Sequence, residues 1–205
     1  TQVYARLKAL AMTGHEVSKV ELRILGGTWS SYPKSYQTWF VKRCLQAMNE
    51  YLELKAGRGE RTIRTLVKSR YGVDEVHQLK VRSLGGAWRK LEDVICENES
   101  AEVRCIGINI ETRPDWIDEG EIRRLRRLGV TKVEIGVQTT DDRVQELTRR
   151  GHDLAAVRRA TRLLKDAGFK IGYHMMPNLE GATPEMDRKM IRELFSDSEY
   201  QPDYL

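Results

Sequence analysis

Lys132-Val133-Glu134-Ile135-Gly136-Val137-Gln138 is a short run rich in Val and Ile that stops abruptly at a polar residue. On its amino side lies helical periodicity from about Asp118 to Leu128, closed by Gly129, a residue suited to the left-handed end of a helix. On its carboxyl side a second helical stretch, Asp141 to Arg150, stops at Gly151. Helix, strand and helix in this order are the signature of a βα unit, and the alternation repeats along the chain. Val20 to Leu25 ends at Gly26-Gly27, Cys105 to Ile110 ends at Glu111, and Lys170 to Met175 ends at Met176-Pro177. Their Val and Ile content suits strands covered on both faces. The expected fold class is therefore α/β with a parallel sheet.

Further helices are expected over Tyr36 to Leu54, with Ser35 as N-cap and Trp39, Phe40, Cys44, Ala47 and Met48 as its apolar stripe, over Asp153 to Ala167, closed by Gly168, and over Pro184 to Phe195, where Thr183 precedes a first-turn Pro. Lys55 to Lys90 breaks the rhythm. It is strongly basic and punctuated by glycine, and reads as an insertion at about 55–90 holding a short helix, Ile63 to Ser69. Arg58, Arg61, Arg64, Lys68, Arg70, Lys80, Arg82, Arg89 and Lys90, with Tyr71 and Trp88 available for stacking, make it the better candidate for phosphate contacts. Arg123 to Arg127 also looks basic, but on a helix those side chains spread around the circumference as a solvated face.

Of the 205 residues 40% are hydrophobic and 32% charged, and no apolar run approaches the roughly 18 residues of a membrane span. Residues 1–12 lack the apolar core of a secretory leader, because Arg6 and Lys8 interrupt them. A cytoplasmic protein with no membrane partner is expected. The net charge of +5 permits a polyanionic partner without demanding one. Cys44, Cys96 and Cys105 are too scattered for a disulfide framework or a metal cluster and read as small buried residues. A start within an amphipathic helix and an end just after Pro202 suggest a piece of a longer chain.

In parallel α/β folds, functional groups collect where the strands end. Gly26-Gly27 leaves backbone unshielded, so that carbonyls could meet an ammonium group. Glu111 offers an acceptor for ribose hydroxyls, Gln138 a donor and an acceptor, and Arg150 a guanidinium for a carboxylate. Together they outline an amino acid joined to a nucleoside, as in S-adenosylmethionine (SAM). Each also has an ordinary structural reading: a strand-ending turn at Gly26-Gly27, a salt-bridge partner at Glu111, a helix-end cation at Arg150. His174 is either a proton-transferring residue at a strand end or a hydrogen-bonded core histidine. His152 reads as orienting the turn beside Arg150.

Gly26-Gly27-Thr28, Ile110-Glu111-Thr112-Arg113-Pro114-Asp115-Trp116, the run Val133 to Gln138, Arg150-Gly151-His152, Lys165 to Lys170 and His174-Met175-Met176-Pro177 resemble the catalytic subunit of Elongator and its archaeal and bacterial homologues. The resemblance extends from about Leu7 to Leu205 apart from the basic insertion. It implies an incomplete parallel (β/α) radical-SAM partial barrel, belonging to an acetyl-CoA-dependent enzyme that modifies carbon 5 of wobble uridine 34 in tRNA. It further implies a [4Fe–4S] cluster whose cysteine ligands lie upstream of this chain, and an acetyltransferase domain downstream.

On the family's pattern the cofactor contacts fall on Gly26, Gly27 and Thr28, Glu111, Gln138 and Arg150, with His174 facing the barrel interior. Lys19 matches a lysine assigned to acetyl-CoA, and otherwise reads as a solvated lysine before a strand. Implied partners are tRNA and either Elongator-type subunits or a second copy of the chain. Two other functions fit the residues: a different radical-SAM reaction, since Gly136-Val137-Gln138 followed by an Arg also resembles coproporphyrinogen-oxidising enzymes, and a non-catalytic tRNA-binding module.

Overall fold

A computed structural model describes residues 2–52 and 89–205. Among them four strands, β1 (Lys19–Ile24), β2 (Arg104–Thr112), β3 (Lys132–Gln138) and β4 (Lys170–Met175), form one sheet in the order β1-β2-β3-β4. β2 and β3 pair in parallel, as do β3 and β4, so the expected α/β architecture with a parallel sheet is present. Each strand expected from the sequence is present, with no end moved by more than two residues; Glu111 lies inside β2, one residue before its end, and Gln138 closes β3, rather than each being the first residue beyond its strand.

The helices are α1 (Gln2–Met12), α2 (Lys34–Asn49), α3 (Leu91–Asn98), α4 (Glu119–Arg127), α5 (Asp142–Leu147), α6 (Leu154–Asp166) and α7 (Pro184–Ser196). Asp118, Asp141, Asp153 and Thr183 each accept a hydrogen bond from a first-turn amide, so four helices begin on a side-chain cap. Three expectations change. α2 starts at Lys34, directly after Pro33, so Ser35 lies inside it. Its buried face is Gln37, Val41, Cys44, Leu45 and Met48, while Trp39 points outward, 53% exposed. α5 closes at Leu147 because the Thr148 hydroxyl donates to the Val144 carbonyl and Arg149 turns left-handed at φ 53°; Arg150 therefore lies beyond the helix. α3 had no counterpart in the sequence reading, and the helix expected at Ile63 to Ser69, with most of the basic insertion, falls outside the described residues.

The chain divides into two compact units. In the first, residues 1–21 and 34–106, α1 and α3 pack on α2 around Tyr4, Leu7, Val41, Leu45, Met48, Leu91 and Val94. Asn98 ties its end together, donating to Asn49 and to the Val103 carbonyl while accepting from the Cys105 amide. Burial, reinforced by Cys105, pushes the Cys44 thiol up to about 11.

The second unit comprises residues 22–33 and 107–205. Its strands alternate in chemistry, since successive side chains point to opposite faces. Ile108, Ile110, Val133, Ile135, Val137, Ile171 and Tyr173 make an apolar face, and Leu125, Val157, Ala160, Leu164 and Leu194 of the helices complete that core. Asn109 and Glu111, Lys132, Glu134 and Gln138, and His174 occupy the other. β3 is covered on both faces, as expected, but one covering is polar. β1 is not covered, and alternates between exposed and half-buried residues. Beyond β4, Tyr204 forms an isolated parallel bridge with Gly172, and its carbonyl accepts from the Tyr173 amide.

Candidate cofactor-binding rim

After β1 the chain turns at Gly26 and Gly27, with φ of 104° and 140°, values that L side chains rarely adopt. A Cβ at either position would meet no atom within 4 Å, so both face open space. The Gly26 amide donates to Glu111 Oε2 at 2.9 Å, which fixes the turn against the end of β2. Thr28 follows, and its carbonyl accepts from the Ser31 hydroxyl at 2.7 Å, closing the single 3₁₀ turn Trp29–Ser31. Ser30 within that turn accepts from Thr112 at 2.9 Å and donates to Glu121 at 2.6 Å. The loop is therefore held by β2 and α4, leaving the glycine backbone outermost.

Gln138 ends β3 with φ 72°, a strained value for a residue with a side chain, beside an irregularity in the β3–β4 register. Its carbonyl accepts from the Met176 amide at 2.9 Å, and its side chain folds over Gly136, where a Cβ would approach Nε2 to 2.8 Å. The side-chain Oε1 is buried without a hydrogen-bond partner. Such an acceptor asks for a donor. Arg150 reaches Met176 Sδ at 3.9 Å, and no carboxylate among the described residues pairs with it. The turn after it is pinned by Arg113, which grips Asp115 through two hydrogen bonds and donates to the Gly151 carbonyl at 2.9 Å.

His152 sits half-buried in that turn. Burial lowers its pKa; Asp115 and the Val137 carbonyl oppose the shift, Arg113 and Arg150 reinforce it, and the net direction is down. The basic run on α4 is committed to structure: Arg123 pairs with Glu119, Arg124 with Glu121, and Arg126 lies over the Phe169 ring.

His174 lies between two carboxylates. Its Nε2 is 2.5 Å from Glu134 Oε2 and its Nδ1 is 3.2 Å from Glu111 Oε1. Glu134 Oε1 in turn accepts from Asn109 at 2.5 Å and Arg23 at 3.1 Å, with Lys132 Nζ at 3.3 Å. Burial alone would raise the Glu134 pKa; these four partners outweigh it and bring the carboxyl down to about 2. Glu134, Asn109, Arg23 and Lys132 were not singled out from the sequence. The signal was present in the alternation Lys-Val-Glu-Ile-Gly-Val-Gln, which sets residues 132, 134, 136 and 138 on one side of β3.

Seven of the eight expected site residues thus fall into two groups within one unit: Gly26, Gly27 and Thr28 with Glu111 and His174, and Gln138 with Arg150 through Met176. Lys19 belongs to the other unit, exposed at the start of β1.

Residues 5–194 match the Radical SAM superfamily. The chain belongs to that superfamily. It is 39% identical over 98% of its length to the tRNA uridine(34) acetyltransferase of Methanocaldococcus jannaschii, and 31% identical over 100% of its length to Elongator complex protein 3 of Schizosaccharomyces pombe. In both cases it spans 31% of the relative, about a third. The solved structure of archaeal Methanocaldococcus infernus Elp3 with an N-terminal deletion superimposes with a TM-score of 0.78 at 38% identity, covering 98% of this chain and 39% of that one.

Superfamily membership implies SAM and a [4Fe–4S] cluster, and the residues treat the two differently. A bare, left-handed glycine turn, a carboxylate at its base and an orphaned buried acceptor fit an amino acid joined to a nucleoside. For the cluster, no group of three or more His, Cys, Asp or Glu among the described residues could hold a metal ion, and Cys44 is buried with a raised pKa. No helix among the described residues is long and apolar enough to cross a membrane.

Proposed function

We propose that this chain is the SAM-binding part of a radical-SAM enzyme that modifies uridine 34 of tRNA, using acetyl-CoA to build a carboxymethyl group at carbon 5. The observation that carries the cofactor assignment is the closure of the Gly26-Gly27 turn onto Glu111 at 2.9 Å, with the unpartnered Oε1 of Gln138 at the end of the neighbouring strand. The names of the relatives supply the substrate. In this reading Gly26 and Gly27 receive the amino group, with Thr28 closing the turn, Glu111 and Gln138 hold the ribose, and Arg150 takes the carboxylate. His174 supports Glu111 and faces the reaction space, while Lys19 contacts acetyl-CoA.

Bound SAM together with a [4Fe–4S] cluster supplies radical chemistry; this chain's residues orient the cofactor. The cluster ligands belong to a segment upstream and the acetyl-transfer step to a domain downstream of these residues, with tRNA as substrate and Elongator-type subunits or a second copy as assembly partners. A cytoplasmic location accords with a tRNA substrate.

The test is made on the full-length, cluster-loaded protein. Addition of tRNA should stimulate acetyl-CoA hydrolysis, and replacing Glu111 or Gln138 by Ala should weaken SAM binding on the order of tenfold or more, the factor for one strong polar contact. Absence of any tRNA stimulation would remove the uridine reading. Undiminished SAM affinity in both variants would remove the rim.

A further inference from the structure

The polar face of the sheet carries one unbroken line of contacts across all four strands. Glu134 stands at its buried end, with a side chain 8% exposed, and Glu111 at its open end, 24% exposed. Between them the two oxygens of Glu134 are divided. Oε1 is taken by Asn109, Arg23 and Lys132, so that Oε2 alone is presented to His174. Gly172, opposite on β4, makes room for this carboxylate: a Cβ there would come within 3.0 Å of Glu134 Cγ.

An ionised carboxylate only accepts hydrogen bonds, so the imidazole must donate from Nε2. Nδ1 faces Glu111 Oε1, a second acceptor-only carboxylate, so the contact is attractive in the imidazolium form, with a proton on each ring nitrogen, and Glu111 Oε2 is the oxygen taken by the Gly26 amide. Each link in the line fixes the next.

We propose that Glu134 is a positioning residue for the cofactor rim, acting through His174 to hold the Glu111 carboxylate in the orientation that closes the Gly26 turn. Glu134 does not reach the rim itself. The imidazole of His174 touches both carboxylates, and a role through it is distinguishable from mere stabilisation of the fold by comparing the two variants. The inference rests on the SAM reading of the rim, with SAM as the ligand whose affinity reports it.

The experiment uses the full-length, cluster-loaded protein. SAM affinity is measured by calorimetry for the parent, Glu134→Gln, His174→Gln and the double variant. Glu134→Gln should weaken binding on the order of tenfold, the scale of one charge-assisted hydrogen bond. The double variant should bind no more weakly than His174→Gln alone, because His174 is the side chain that touches both Glu134 and Glu111. Multiplying losses, or a Glu134→Gln affinity equal to the parent's, would overturn the proposal.

A second measurement needs no variant of Glu134. In the cluster-free full-length protein, ¹⁵N shifts of the His174 imidazole, assigned by their loss in His174→Gln, should show a protonated Nε2. An unprotonated Nε2 would overturn the proposal even if Glu134→Gln failed to fold. Parent protein that bound no SAM would instead refute the cofactor reading, and the imidazole shifts would still decide the Glu134 arrangement.

Discussion

Acid should loosen the second unit through Glu134, and replacing that residue with Gln should remove the effect. In the folded protein the carboxyl is held at about 2 against an ordinary value of 4.5. A depressed carboxyl pKa adds stability above the unfolded value and loses it as pH falls through the folded value. The window therefore runs from about pH 4.5 down to about pH 2. At 1.36 kcal/mol per unit the full difference is roughly 3 kcal/mol, and about 2 kcal/mol of it is gone by about pH 3. The carboxylate is almost wholly buried, but the Arg23 and His174 side chains that hold it are partly exposed, so solvent screening makes this figure an upper value. The assay is urea unfolding of the parent and Glu134→Gln between about pH 6 and pH 3, followed by near-ultraviolet circular dichroism. Other carboxylates lower the stability of both proteins, so the quantity read is the difference between them. That difference should shrink by as much as about 2 kcal/mol over the range. A constant difference would mean that Asn109, Arg23, Lys132 and His174 do not hold the carboxylate ionised, and the line of contacts to Glu111 would lose its anchor.

Gly26→Ala should cost about 1 kcal/mol of stability from left-handed backbone strain alone, since no atom crowds the new methyl group, and should weaken SAM binding more than it weakens the fold; equal effects on both would refute a ligand-facing turn. Arg113→Ala should speed amide hydrogen exchange at residues 149–152 without altering exchange in β4, because the guanidinium bonds the Gly151 carbonyl; unchanged exchange in the turn would refute the pin. Tyr173→Phe should destabilise by about 1 kcal/mol: burial pushes the Tyr173 hydroxyl up to about 12, it bonds Thr161, and Thr161 keeps the Val157 carbonyl after the change. A neutral result in thermal unfolding would show that the tyrosyl oxygen contributes nothing to that contact.

The apolar face of the sheet was legible because burial selects residue type directly. Ile, Val and Leu at period two announce strands, and Asp or Thr before a helix announces its first turn, so β1 to β4 and four capped helices follow from local chemistry. α2 shows where that logic stops. Its aromatic residues suggested a buried stripe through Trp39, yet the buried face runs through Gln37 and Val41, because packing against α1 and α3 chooses the face and no local signal records it. The strand-end residues were legible for a different reason, since glycine pairs and unusual polar groups at strand ends have few structural uses. Glu134 escaped notice because it sits in mid-strand, where a carboxylate looks like an ordinary solvated residue. Only register makes it otherwise: Asn109, Arg23 and His174 come from three other strands, separated from it by 25, 111 and 40 residues. A buried carboxylate needs several donors converging on it, and that convergence is a property of the assembled sheet. The same register sets Glu111 beside Glu134, across from Gly172 and His174, so the group that presents itself to a ligand and the group that holds it arise from one alignment of strands. A shift of β3 by one residue would turn Glu134 into the apolar core and leave His174 and Glu111 with nothing behind them.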